Sequence, residues 1–248
     1  MNNKQQAGFT LVEIVLVLVI IGLLLGGILK GQELINSAKV KNLADQNSGV
    51  QAAYYGFIDR YRQIPGDWAI LPAGQAIGVA IINGGNGNGR VDNTYVEAAG
   101  LWEQLARANF RLRGFALPTA VIAAEATYGN VVPINAFNAP LILTRNTGYT
   151  GVGLARLNLH LGRNIPVAIA RELDIKVDDG LPNSGVLRMT NADGTNTNFD
   201  PLNFLATFAA CTTVAAANAP GNAAGTAAAT DIFDVYDDSQ DCAQVFLY

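Results

Sequence analysis

Three carboxylates in the second half of the chain have the type and spacing of metal ligands. Asp174, Asp178 and Asp179 directly precede Gly180, and carboxylate oxygens gathered at a turn are ligands that calcium prefers. A solvated acidic turn has the same composition and is the simpler interpretation. Calcium is therefore a candidate cofactor, and no other cofactor is expected. The same two interpretations apply to a second acidic group, which contains Asp231, Asp234, Asp237, Asp238 and Asp241.

The two cysteines, Cys211 and Cys242, could form a disulfide or bind a metal. Their separation matches no zinc pattern, in which paired ligands lie two to four residues apart. A disulfide is the simpler interpretation, and closing the intervening loop would stabilise the fold by about 3 to 4 kcal/mol. The alternative is two buried thiols in a cytosolic protein. Between the cysteines, Thr213–Thr230 is rich in Ala, Asn and Gly and is predicted to be a surface loop.

The sequence contains no recognisable catalytic motif. His160 is the only histidine and lies in an alternating apolar segment, which predicts a strand residue rather than a general base. The Asn/Gly run from Asn83 to Asp92 lacks the lysine of a phosphate-binding loop. Its alternating asparagines resemble a calcium loop, but Gly84 and Tyr95 occupy the anchoring positions, so a flexible turn is predicted. We therefore expect no enzymatic activity.

Glu13 is an acid inside an otherwise apolar segment. Residues 9–29 read FTLVEIVLVLVIIGLLLGGIL, which is long enough as a helix to cross a bilayer. A removable secretory signal would be shorter, with its cleavage site on the far side, so it fits less well. An ionisable group in such a span is expensive and is retained mainly where it has a partner or a function. The alternative is a carboxyl group that reaches the headgroups, or stays protonated, without any role.

The residues around Glu13 also have a recognisable order. Gly8, Phe9, Thr10, Leu11, Val12 and Glu13 resemble the processing signal of the type IV pilin and type II secretion pseudopilin superfamily. The resemblance implies cleavage after Gly8 by a prepilin peptidase and methylation of the new amino terminus at Phe9. It also implies that Glu13 is the carboxylate needed for filament assembly.

Electrostatics predicts how the Glu13 carboxylate and the new amino terminus would interact. Cleavage creates an amine at Phe9, and Glu13 lies too close along the same rigid helix to neutralise it easily. The carboxylate can instead reach the amine of a neighbouring copy. In a filament core, this pairing would offset the desolvation of both groups and fix the axial stagger of the subunits.

Composition agrees with a chain that hides apolar surface in a membrane or an assembly. Half of the 248 residues are hydrophobic and only 15% are charged. Sixteen Lys and Arg stand against twenty Asp and Glu, so no basic field exists for a nucleic-acid backbone and no primary nucleic-acid partner is expected.

Beyond the span, the pattern predicts a helix that continues to Arg62 and then a mixed head. Apolar residues recur at Val50, Ala53/Tyr54, Phe57 and Tyr61, and Pro65 and Gly66 then stop the helix. Two shorter helices are predicted, at residues 97–111 and 167–175. Strands are predicted at residues 120–124, 128–134, 140–145, 152–161 and 186–190. The predicted fold class is α+β: a long amino-terminal helix, with a hydrophobic first half, packed on an antiparallel sheet.

The sequence therefore predicts four parts: a leader at residues 1–8, a membrane or filament-core helix at 9–29, its continuation at 30–62, and a head at 63–248 with a disulfide-bounded end. The resemblance implies a structural subunit of a type IV pilus, or alternatively a type II secretion pseudopilin. Its partners would be copies of itself, other pilins, prepilin peptidase and an inner-membrane assembly platform. A membrane-anchored periplasmic binding module is a further alternative. The precursor would cross the bacterial inner membrane once, with its head in the periplasm, and would enter a periplasmic or extracellular filament.

Overall fold

A computed structural model describes residues 11–110, 115–150, 154–190, 211–212, 232–235, 240 and 242–248. Their elements follow in chain order as α1 Leu11–Tyr61, α2 Ile70–Ile77, α3 Tyr95–Arg107, α4 Glu125–Tyr128, β1 Ile142–Asn146, β2 Arg156–His160, α5 Val167–Val177, β3 Leu187–Met189 and β4 Gln244–Leu247. The chain forms two compact units, residues 1–39 and 40–248. The long helix and the small sheet confirm the α+β fold class.

In the first unit, the described residues are the first part of helix α1. Its large apolar side chains are exposed, from 45% at Ile21 to 80% at Leu11. Within the described residues, α1 is the one helix long and apolar enough to cross a membrane. The segment therefore gains nothing from packing within its own unit, and its apolar surface needs a bilayer or other helices.

In the second unit, the remainder of α1 packs on the head through one stripe. Val40, Leu43, Val50, Tyr54 and Phe57 are buried at helical spacing, as the periodicity predicts. The helix ends at Tyr61, and the next residue, Arg62, has a φ of 55° and donates its N–H to the Ile58 carbonyl at 2.8 Å. This left-handed residue closes the helix before the proline and glycine that the sequence marked as the stop.

The sheet is antiparallel, with the strand order β1-β2-β4-β3. Leu143 pairs with Leu159, which pairs with Phe246, which in turn pairs with Leu187. One row of buried apolar side chains therefore crosses all four strands. The sequence predictions at 140–145, 152–161 and 186–190 locate β1, β2 and β3, but β4 was missed.

Two predicted strands are wrong. Residues 120–124 form no strand, and 128–134 contributes only an isolated bridge between Ile134 and Pro140. Tyr128 ends helix α4 instead and is buried. Its hydroxyl accepts from Trp102 Nε1 and donates to the Leu141 carbonyl, each at 3.0 Å. These partners lie 26 and 13 positions away in the chain, so a local strand pattern does not reveal them.

Candidate functional site

Of the residues predicted for processing and assembly, only Glu13 lies within the described region. Gly8 and Phe9 lie outside the described residues. Glu13 lies in the first turn of α1, and its apolar neighbours Leu11, Val12 and Leu16 are exposed. An acidic residue near a helix amino terminus interacts favourably with the helix dipole, so this position suits Glu13 within a helix.

Four glycines in the same helix face open space among the described residues. A Cβ added to Gly22, Gly26, Gly27 or Gly31 would meet no atom within 4 Å among the described residues. Glycine in a helix interior costs roughly 0.5 to 1 kcal/mol relative to alanine. Gly22 and Gly26 are four residues apart, as are Gly27 and Gly31, and this small-xxx-small spacing allows close approach of another helix.

The acidic turn at the end of α5 brings its three carboxylates together. One oxygen from each of Asp174, Asp178 and Asp179 lies within 4.8 Å of the others. Asp178 Oδ2 accepts from the backbone N–H groups of Val186 and Leu187, and Asp179 Oδ1 accepts from Leu181 N at 2.9 Å. The turn thus connects the end of α5 to the start of β3 through side-chain oxygens.

Asp174 differs from the other two because it is buried. Its Oδ1 accepts from Gly180 N at 3.2 Å, while its buried Oδ2 has no hydrogen-bond partner among the described residues. Burial, with a smaller contribution from the charges of Asp179 and Asp178, raises the pKa of Asp174 to about 7. A buried carboxylate oxygen without a donor is costly unless a cation or proton satisfies it, so the donor set fits a hard cation.

Cys211 and Cys242 form a disulfide, so the alternative of two buried thiols is wrong. Both residues are buried. Cys242 exchanges two backbone hydrogen bonds with Ile165, at 2.8 and 3.1 Å, and lies just before β4. The disulfide therefore holds the last strand of the sheet in place. The predicted surface loop at residues 213–230 lies outside the described residues.

His160 lies on β2 as predicted and is buried. Its Nε2 is 3.0 Å from Asn146 Nδ2 on the neighbouring strand. Burial lowers the pKa of His160 to about 3, so the ring is neutral at physiological pH. This histidine belongs to the interior of the sheet.

Asp67 organises a loop of the head, a role that the sequence interpretation missed. Its carboxylate accepts from the backbone N–H groups of Gly87, Asn88 and Gly89, at 2.8, 3.0 and 2.8 Å. The Asn/Gly run, predicted as a flexible turn, is thus fixed by a residue about 20 positions earlier in the chain. The aspartate follows the Pro65–Gly66 stop, but nothing in its local sequence indicates this long-range role.

Comparison with known proteins identifies the amino-terminal segment. Residues 3–29 match a family model described as the prokaryotic N-terminal methylation motif. The chain therefore carries the prepilin-type cleavage and methylation motif of type IV pilins and pseudopilins, which confirms the resemblance. The motif implies processing by prepilin peptidase, and with the apolar helix it fits a membrane-anchored precursor. No curated protein and no solved structure matches the chain.

Proposed function

We propose that this protein is a structural subunit of a type IV pilus, cut after Gly8, methylated at Phe9 and assembled through helix α1. The observation that carries the proposal is the methylation motif over residues 3–29, which runs directly into an apolar helix that its own unit does not bury. In a filament, this apolar surface would be buried against the helices of neighbouring subunits once the subunit leaves the membrane. The role is structural and requires no catalytic residue.

Packing between helices supports assembly through α1. Burying a large aliphatic side chain stabilises by about 1.5 to 3 kcal/mol, and the exposed half of α1 carries many such side chains. The glycine pairs Gly22/Gly26 and Gly27/Gly31 would let neighbouring helices approach closely, since a Cβ there would meet no atom within 4 Å among the described residues. Apolar contact supplies adhesion between copies, but it does not select one axial stagger.

The stagger is supplied by Glu13. Its carboxylate, in the first turn of α1, pairs with the amine that cleavage creates at Phe9 of a neighbouring copy. Each charge offsets the burial of the other, and a shifted register would leave both unpaired in a low-dielectric core. The ion pair therefore specifies the arrangement, and the leucine, valine and isoleucine side chains provide most of the stabilisation.

The disulfide favours a pilus subunit over the alternative, a type II secretion pseudopilin. It closes the carboxy-terminal region from Cys211 to Cys242, an arrangement similar to the bounded surface loop of many pilins. A single-span anchor carrying a periplasmic binding module is the candidate from another class. For such an anchor, a charge pair between copies would have no purpose.

Mass spectrometry of the mature chain separates the filament subunit from the simple anchor. We expect the protein from cells with an active prepilin peptidase to begin at a methylated Phe9, and the protein from peptidase-deficient cells to retain residues 1–8. An unmodified amino terminus that is identical in both strains would contradict the proposal. The peptidase-deficient strain is the matched control, since the sequence of the chain is unchanged.

We also propose that the acidic turn of the head binds calcium. Three carboxylates converge, and the buried Asp174 Oδ2 lacks a donor among the described residues. Calcium takes six to eight oxygen ligands, so backbone carbonyls and water would complete the set. The bound ion would tie the end of α5 to the start of β3.

Thermal unfolding of the full chain in detergent micelles tests this proposal. After chelation, added calcium is expected to stabilise the wild type by about 2.7 kcal/mol at one hundred times the dissociation constant. The Asp174→Asn variant is expected to lose this response, yet to equal or exceed the wild type in stability without calcium, because its buried charge is removed. Glu172→Gln, on the same helix but in an exposed ion pair with Lys176, should respond like the wild type. An equal calcium response in Asp174→Asn would rule the site out.

A further inference from the structure

One loop of the head contains three Asn–Gly pairs: Asn83–Gly84, Asn86–Gly87 and Asn88–Gly89. This dipeptide is the most prone to deamidation, because glycine places no side chain in the way of the reaction. The backbone nitrogen of the glycine loses its proton and attacks the asparagine side-chain carbonyl carbon. Ammonia leaves, a succinimide ring forms, and water opens the ring to aspartate or isoaspartate. Water is the only co-reactant.

The fold makes two of these reactive pairs necessary. Gly87 and Gly89 have φ values of 75° and 87°, a left-handed conformation that favours glycine. The preceding asparagines close the turns, since Asn86 Oδ1 accepts from Asn88 N at 2.9 Å and Asn88 Oδ1 accepts from Arg90 N at 3.1 Å. Replacing either the glycines or the asparagines would disturb the loop. The loop therefore keeps two Asn–Gly pairs that are prone to deamidation.

Asp67 contacts both of the nitrogens that would attack. Gly87 N donates to Asp67 Oδ1 at 2.8 Å, and Gly89 N donates to Asp67 Oδ2 at 2.8 Å. A buried carboxylate that accepts these hydrogens holds the protons in place, and its negative charge opposes formation of the amide anion that the reaction requires. Asp92 Oδ2 also holds the side-chain amides of Asn86 and Asn88, at 3.2 and 2.7 Å.

We propose that Asp67 protects Asn86 and Asn88 from deamidation, so that this loop is a latent modification site kept unreactive by one buried carboxylate. The third pair is held differently and provides an internal reference. The Asn83 side chain is buried, donates to Glu103 Oε2 at 3.1 Å and accepts from Ile122 N at 2.8 Å. Asp67 makes no hydrogen bond to the Asn83 side chain among the described residues.

Peptide mass spectrometry of the full chain, incubated in detergent at mildly alkaline pH, measures deamidation at each asparagine. In Asp67→Ala, deamidation at Asn86 and Asn88 is expected to accelerate about tenfold or more. The free energy of a hydrogen bond to a charged group corresponds to at least a tenfold change in rate. Asn83 is expected to stay intact. Asp59→Ala is the matched control, since this exposed aspartate pairs only weakly with Arg62 at 3.3 Å, and it should behave like the wild type.

Two outcomes would overturn the inference. One is unchanged deamidation at Asn86 and Asn88 in Asp67→Ala; the other is an equal rise at all three pairs, which would indicate general unfolding. A measurement on the wild type applies even if the variant does not fold. Native protein is expected to deamidate at Asn86 and Asn88 much more slowly than the same protein in urea, and equal rates would contradict protection.

Discussion

Glu13→Ala is expected to reduce incorporation of the subunit into filaments about tenfold or more. Leaving one member of a buried ion pair without its partner costs about 3 to 5 kcal/mol, and about 1.4 kcal/mol already corresponds to a tenfold change. Under the proposed function, the amine at Phe9 of a neighbouring copy would lose the carboxylate that offsets its burial. The measurement is the ratio of variant to wild-type subunit in purified filaments at equal membrane abundance.

A second glutamate on the same helix provides the matched control. Glu33 forms an exposed ion pair with Lys30 at 2.6 Å, and exposed pairs contribute about 0 to 1 kcal/mol. Glu33→Ala is therefore expected to assemble nearly normally. In both variants the disulfide should still form, which shows that the head is folded. Normal incorporation of Glu13→Ala would remove the proposed role of the carboxylate.

Loss of the disulfide is expected to destabilise the head by about 3 to 4 kcal/mol, because the reduced unfolded chain regains loop-closure entropy. Cys211 and Cys242 are 31 positions apart. The effect is large beside the total stability of a domain, which is about 5 to 15 kcal/mol. It can be measured as the free energy of unfolding of the Cys211→Ser, Cys242→Ser double variant in denaturant.

Reduction of the wild type is the matched control for that double variant. Both forms lack the bond, but only the variant places hydroxyl groups in two buried positions. We expect similar losses, with a somewhat larger loss in the variant because buried polar groups are unfavourable. If both forms lost less than about 1 kcal/mol, the disulfide would not be what holds strand β4 in the sheet.

Local patterns in the sequence predicted the parts of the fold that local physics determines. The spacing of Val50, Tyr54 and Phe57 predicted the face of α1 that packs on the head. Strand character in the sequence predicted β1, β2 and β3, and the helix prediction at residues 167–175 lies within α5. Thr94 explains the start of α3, because its hydroxyl accepts from Glu97 N at 3.3 Å.

The features that sequence missed depend on contacts distant in the chain. Strand β4, Gln244–Leu247, pairs with β2 on one side and with β3 on the other, and both partners are distant in the chain. Asp67 reaches Gly87 and Gly89 across the fold, which no local pattern encodes. In the acidic turn, the sequence indicated three aspartates as candidate calcium ligands, but only the structure distinguishes the buried Asp174 from the other two.

The composition of purified filaments tests the central claim most directly. Filaments sheared from cells that express the chain at its natural level, and then separated from membranes, are expected to contain this protein beginning at a methylated Phe9. A peptidase-deficient strain should yield no filaments containing it. Finding the chain only as monomers in membranes, while filaments from the same cells lack it, would contradict the account.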